Sequence, residues 1–211
     1  MIIDIHIHEK TFSSDSQLSL EEIVQQAKNM GIDGICITDH DSNQIKEKAE
    51  TYSVQTNYPI FVGAEVYTLE GDILVFGLDT LPSTRIPAKD LLELVEEKGG
   101  VAIAAHPYRE NNRGLKDHLF SLPHISGIEG LNGSTNITNN FRALRTARMM
   151  NIPLLGGSDA HNLYQLGRYA TIFPDRVRDE RDFIEAIKSG ETQMAEYTEA
   201  GYKTFLLDIV A

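Results

Sequence analysis

Five short motifs place imidazoles and carboxylates at or just past the ends of apolar runs. The first is Asp4-Ile5-His6-Ile7-His8, with Asp15 in the adjoining loop. Residues two apart on a strand point the same way, so His6 and His8 can grip one ion together. A polar strand face in water would show the same spacing. The second motif is Thr38-Asp39-His40-Asp41. His40 ends an apolar strand, and Asp39 either orients a ligating imidazole by hydrogen bonding or caps a helix. The third, Gly63-Ala64-Glu65, puts at a strand end a carboxylate that can bridge two ions. The fourth is His106-Pro107, after the wholly apolar stretch Val101 to Ala105. The fifth is Ser158-Asp159-Ala160-His161, again a pair at two-residue spacing. His118 and His124 lie in a loop-like segment and read as solvated or locally bonded imidazoles.

These motifs need elements that bring them to one place. Strands are expected over Ile2 to Ile7, Gly34 to Thr38, Ile60 to Gly63, Ile73 to Phe76, Val101 to Ala105, Gly127 to Leu131 and Ile152 to Gly156, with an edge strand over Tyr169 to Phe173. Helices are expected over Ser19 to Met30, opened by the capping-box pattern Ser19-x-x-Glu22, and over Gln44 to Tyr52, Ala88 to Lys98, Thr138 to Met150 and Asp179 to Lys188. Repeated strand–helix order argues for a parallel sheet. About seven strands, and no glycine-rich phosphate loop after the first, favour a barrel. The run Ile73 to Phe76 follows its predecessor too closely for regular alternation, so the barrel is distorted or incomplete. In a parallel barrel all five motifs would meet at one rim, the rim where active sites are built.

Composition bounds the reading further. The 211 residues, 41% hydrophobic and 24% charged, suit a single domain over 1–211 with one sizeable core. The formal net charge of -12 argues against duplex nucleic acid as a partner. Cys36, the single cysteine, excludes an internal disulfide and a zinc finger, and its apolar neighbours suit a buried inert thiol. Neither a signal-peptide pattern nor an apolar run of membrane-spanning length is present, so a cytoplasmic protein without a membrane partner is expected.

The motifs His-x-His, Thr-Asp-His, Gly-x-Glu, His-Pro and Ser-Asp-Ala-His, in that order from Asp4 to about Thr171, resemble those of the PHP (polymerase and histidinol phosphatase) family. The resemblance implies an α/β fold, a distorted seven-stranded, TIM-like β/α barrel carrying up to three metals at the strand ends. It implies that His6, His8, Glu65 and Asp159 hold one ion, that Asp15, His40 and His161 hold a second, and that Glu65 and His106 contribute to a third. Many relatives carry a His at the start of the strand after Gly-x-Glu, where this chain has Asp72 in Gly71-Asp72-Ile73. Either Asp72 replaces that imidazole or the third position is weak or empty; Asn132 also faces the same mouth.

The expected cofactors are two or three divalent ions, and a ligand set without thiolate suits manganese, zinc or iron. Ions roughly 3.5–4 Å apart clamp the attacking and leaving oxygens of an in-line displacement, and metal binding lowers the pKa of water to about 7. The expected function is hydrolysis of a phosphate ester of a small molecule, such as a nucleotide or phosphorylated metabolite, by water activated in this way. Arg109 is expected to contact the phosphate, because a guanidinium offers a bidentate fork; its alternative is a surface pair with Glu110 or another acid. Arg113, Arg168 and Lys10 are weaker choices for that role. The alternatives are a histidinol-phosphatase-like phosphomonoesterase, an amidohydrolase on a similar barrel, which would need a metal-bridging lysine, and a non-catalytic metal-stabilised binding module.

Overall fold

Buried β-branched runs and amphipathic stretches become eleven strands and five α-helices in the computed structural model, which describes residues 1–206. Residues 207–211 of the expected 1–211 domain lie outside the described residues. The strands are β1 (Ile2–Ile7), β2 (Gly34–Ile37), β3 (Ile60–Val62), β4 (Ala64–Tyr67), β5 (Asp72–Phe76), β6 (Val101–Ala104), β7 (Gly127–Asn132), β8 (Leu154–Gly157), β9 (Tyr169–Ile172), β10 (Gln193–Thr198) and β11 (Gly201–Thr204). The helices are α1 (Leu20–Met30), α2 (Lys46–Thr56), α3 (Ala88–Glu97), α4 (Ile137–Met150) and α5 (Glu180–Lys188), with a 3-10 helix over Lys116–Ser121.

Local chemistry sets the helix ends. In α1 the Ser19 side chain accepts from the Glu22 N–H while Glu22 reaches back to the Ser19 N–H, so the expected capping box forms. The helix stops at Gly31, whose left-handed backbone lets its N–H satisfy the Ala27 and Lys28 carbonyls. Helix α2 starts and ends later than expected, and Ala49 is its one buried residue. A helix with so thin an apolar face leaves little periodic signal.

The strands pair in two sheets, one of order β11-β10-β9-β1-β2-β3 and one of order β4-β5-β6-β7-β8. The pairs β1–β2, β2–β3, β6–β7 and β7–β8 are parallel. The expectation of a parallel sheet needs correction elsewhere: β5 runs antiparallel to both β4 and β6, and β9 antiparallel to β1 and β10. For β4 and β5 the reason is connection length, since so short a link can join only antiparallel neighbours. Strand β9 is also not an edge, because β10 and β11 extend the sheet beyond it. The sheets touch at two seams. Ile7 bridges Ala160, and His40 bridges Glu65. At the second seam Gly63 alone separates β3 from β4, and a Cβ there would lie 2.5 Å from the Val75 carbonyl oxygen.

Between the sheets lies a core of Ile3, Ile5, Cys36, Leu74, Ile103 and Leu155, closed by Phe183 of α5. The Phe183 ring packs against Phe61, Phe76 and Phe173 with centroids 4.9, 4.9 and 5.0 Å away. Cys36 is buried there, as expected. Ile7, by contrast, packs with Leu20, Ile23 and Ile37 in a separate cluster under α1. The β1–β2 register shifts between Asp4 and Ile7. This irregularity lets Ile5 face the core while His6 and His8 still turn inward at the strand end. No helix among the described residues is long and apolar enough to cross a membrane.

Candidate metal centre

All eight residues expected to bind metal arrive at one rim. His6 is the penultimate residue of β1 and His8 lies just past its end; Asp15 stands in the loop that follows; His40 lies past β2; His106 lies past β6; Asp159 and His161 lie past β8. Glu65 is inside β4, a separate strand that begins just past the one expected to end at Gly63. Asp72 begins β5, and because β5 is reversed, its first residue rather than its last reaches the rim. His118 and His124 stand outside the cluster. Three non-glycine residues of the rim, Asp41, His106 and Asp159, hold positive φ of 49°, 28° and 53°. Such backbone is sparsely populated and concentrates at functional sites.

The donors crowd together. His6 Nε2 lies 3.0 Å from His8 Nε2 and 3.5 Å from Asp159 Oδ1. Glu65 lies at the centre, 3.7 Å from His6, 3.6 Å from His8, 2.8 Å from His40 Nδ1 and 2.7 Å from His106 Nε2. Asp15 adds a half-exposed carboxylate at the outer side, 3.1 Å from His40 and 3.3 Å from His161. Four overlapping groups each bring three donor atoms within 4.8 Å of one another: His8, His40, His161; His6, His106, Asp159; His6, His8, Glu65; and Glu65, Asp72, His106.

The surroundings fix which ring nitrogen faces the cluster. Glu129, fully buried in β7, meets His6 Nδ1 at 3.1 Å through one oxygen. Its other oxygen accepts from the His106 N–H and Asn132 Nδ2 at 2.8 and 2.9 Å. A carboxylate only accepts, so His6 carries hydrogen on Nδ1 and turns Nε2 inward. Ser13 does the same for His8. Its hydroxyl donates to Asp39 Oδ1 at 2.8 Å and lies 3.2 Å from His8 Nδ1. Asp39 therefore acts through Ser13 and is no helix cap, since α2 starts at Lys46. Glu129 and Ser13 were missed in the sequence. The available signal for Glu129 was a charged residue in an otherwise apolar strand.

Burial and charge pull the titrations apart. Burial would raise the Glu65 carboxyl, but bonds to His106, His40 and His6 hold it well below the usual range. Burial likewise opposes ionisation of Asp159, and His6, His8 and Arg109 outweigh it. Burial disfavours the charged His6 ring, yet Asp159 and Glu129 raise its pKa well above normal. Burial pushes His8 down to about 4, which leaves that ring neutral with a lone pair to give. Burial and the Glu65 charge raise Asp72 to about 8, against the pull of Arg113.

The arginines sit at the border. Arg109 pairs with Asp159, donates to Asn132 Oδ1 at 2.7 Å and reaches Thr135 Oγ1 at 3.1 Å. Its acid partner is thus Asp159 rather than Glu110. Arg168 donates to the Gly133 carbonyl at 3.2 Å.

Two inward-facing imidazole nitrogens 3.0 Å apart, flanked by two buried carboxylates, are costly without a cation or proton between them. The donor set fits divalent ions. With this fold and this donor set, the chain belongs to the PHP family. A family model described as PHP-associated matches residues 138–192. An uncharacterized protein of Methanocaldococcus jannaschii is 32% identical over 154 residues, which cover 66% of this chain and 88% of that one. A probable histidinol-phosphatase of Thermotoga maritima is 32% identical over 71 residues, 31% of this chain and 30% of that protein. This chain thus matches less than a third of the Thermotoga protein's length. A crystal structure from Bifidobacterium adolescentis, of a protein assigned by inference as a metal-dependent phosphoesterase, superposes with a TM-score of 0.68 at 18% identity, covering 88% of this chain and 95% of that one.

Proposed function

We propose that the chain is a metal-dependent phosphoesterase acting on a small phosphorylated molecule, such as a nucleotide or a phosphorylated metabolite. The observation that carries this reading is Glu65, one buried carboxylate within 3.7 Å of four imidazoles. A group so placed is suited to bridging neighbouring cations. His6, His8, Glu65 and Asp159 would hold one ion, and Asp15, His40 and His161 a second; Glu65 and His106 would face a third cation. Bound there, manganese, zinc or iron would supply Lewis acidity and bring the pKa of water down to about 7.

The chain's own residues supply the rest. Glu129 and Ser13 keep His6 and His8 in the tautomers that offer Nε2. Arg109, part-exposed beside Asp159, would present its fork to phosphate oxygens. Among the described residues the lysines pair with acids outside the cluster, such as Glu9, Asp79 and Glu93, and none pairs with Glu65, Asp72 or Asp159, which counts against the amidohydrolase alternative. The net charge of -12 favours a small substrate drawn in by the cations over duplex nucleic acid. The two sheets would be arcs of one distorted seven-stranded barrel, joined at the Ile7–Ala160 and His40–Glu65 bridges.

The test is hydrolysis of an aryl phosphate ester with added Mn²⁺. His8→Ala and Asp159→Ala should each lose more than about 100-fold, beyond the effect of a residue that merely orients a ligand. Full activity after rigorous metal removal defeats the reading, and inactivity of the loaded protein on every phosphate ester tried favours the binding module.

A further inference from the structure

One of the cation positions at the rim already receives a fixed positive charge from the chain. The donor group Glu65, Asp72 and His106 has an atom of each residue within 4.8 Å of the others. Arg113 reaches into it. Its Nε donates to Asp72 Oδ2 at 2.6 Å, and Nη2 lies 3.8 Å from Glu65 Oε2 and 3.4 Å from His40 Nδ1.

Arg113 is held there from several sides. Its guanidinium lies 4.3 Å from the centroid of the Tyr67 ring, and Arg85 covers the same ring at 3.5 Å. Its carbonyl accepts from the Asp72 N–H at 2.7 Å. The loop bearing it is seated on Gly71, where a Cβ would come within 2.8 Å of the Arg113 carbonyl oxygen. Backbone and side chain therefore both register Arg113 on the start of β5. A surface arginine swinging in water would show neither constraint.

We infer that Arg113 is itself the cation of this third position, a guanidinium standing where a third metal ion would otherwise bind, so that the centre takes two ions. The inference rests on the metal-dependent reading proposed above. A guanidinium keeps its charge at every pH at which proteins fold, so it bonds Asp72 and offsets the Glu65 charge whatever the metal supply. A divalent ion among Glu65, Asp72 and His106 would be a close like-charged neighbour of Arg113 in a site with little water to screen them. Asp72 Oδ1 has no hydrogen-bond partner among the described residues. Without the arginine, both Asp72 oxygens, Glu65 and His106 Nε2 would form an acidic cradle ready for an ion.

Bound manganese counted after equilibrium dialysis tests this. Wild type should hold two Mn²⁺ per chain, Arg113→Ala three, and the double variant Arg113→Ala/Asp72→Asn two again. Three ions in wild type, or two in a folded Arg113→Ala, overturns the inference while leaving the metal-dependent reading intact. Fewer than two in wild type strikes that earlier reading instead. If Arg113→Ala fails to fold, Arg113→Gln removes the charge with less loss of packing and is judged by the same count.

Discussion

Replacing Glu129 with glutamine alters one atom and removes one charge, and the hydrogen bonds around it show why metal affinity should fall. All three partners of Glu129 donate: the His6 ring, the His106 N–H and the Asn132 amide. Glutamine offers one oxygen and one NH₂ group. If its oxygen faces His6, the NH₂ confronts two buried donors. If the oxygen faces those donors, the NH₂ meets His6 Nδ1, and the ring must carry its hydrogen on Nε2. That is the atom 3.0 Å from His8 Nε2, the one a cation needs. Either arrangement weakens the site, and loss of such an orienting partner costs about 10–100-fold in affinity, about 1.4–2.7 kcal/mol. Competition for Mn²⁺ against a chromophoric chelator measures it. A folded Glu129→Gln protein that binds manganese as tightly as wild type would refute the assignment of Glu129 as the group that fixes the His6 tautomer.

Metal affinity should also rise with pH. Burial opposes charge on His40, but its bond to Glu65 and the charges of Glu65 and Asp15 lift its pKa from 6.5 to about 9. An ion must displace that proton, so affinity should climb until about pH 9 and then level, read as proton release in calorimetry across buffers. In the metal-free protein the sign for stability is opposite: the raised pKa contributes fully below pH 6.5 and is lost as pH passes 9, which a denaturation midpoint against pH would show. Gly157→Ala should cost about 1–3 kcal/mol, because its Cβ would lie 2.8 Å from both Glu129 Oε1 and His6 Cβ; Tm and metal affinity should fall together. Phe183→Ala should cost about 3–5 kcal/mol by emptying the core among Phe61, Phe76 and Phe173, none of them a clustered donor, lowering the denaturation midpoint with no change in metal count.

Most of the centre was legible in the linear chain because its donors follow apolar strands, and strand ends gather at a rim. Seven of the eight expected ligands needed only that rule; Asp15 lies in a loop, and its place in the set was implied by the family resemblance. What escaped had a different origin. Strand β4 is four residues long, with Glu65 and Tyr67 interrupting its apolar character, so no periodicity announced it. The hairpin of β10 and β11 carries few buried residues, and its pairing comes from register with β9 rather than from pattern. Glu129 was hidden because its role depends on partners in β1 and beyond β6, which only the fold supplies. Arg109 and Arg113 were visible as residues, but nothing in their spacing told that one would seek Asp159 and the other Asp72.

The seam between β1 and the end of β8 has a consequence for how the protein matures. There the Ser158 N–H meets Asp4 Oδ1 across 154 residues of chain, and Asp159 binds the His6 carbonyl beside it. No partly synthesised or half-folded chain can assemble the complete ligand set, because the first and last donors meet only when that seam zips shut. On the metal-dependent reading, tight metal uptake would then be a late event, and the appearance of bound ion during refolding would time the final closure rather than the collapse that precedes it.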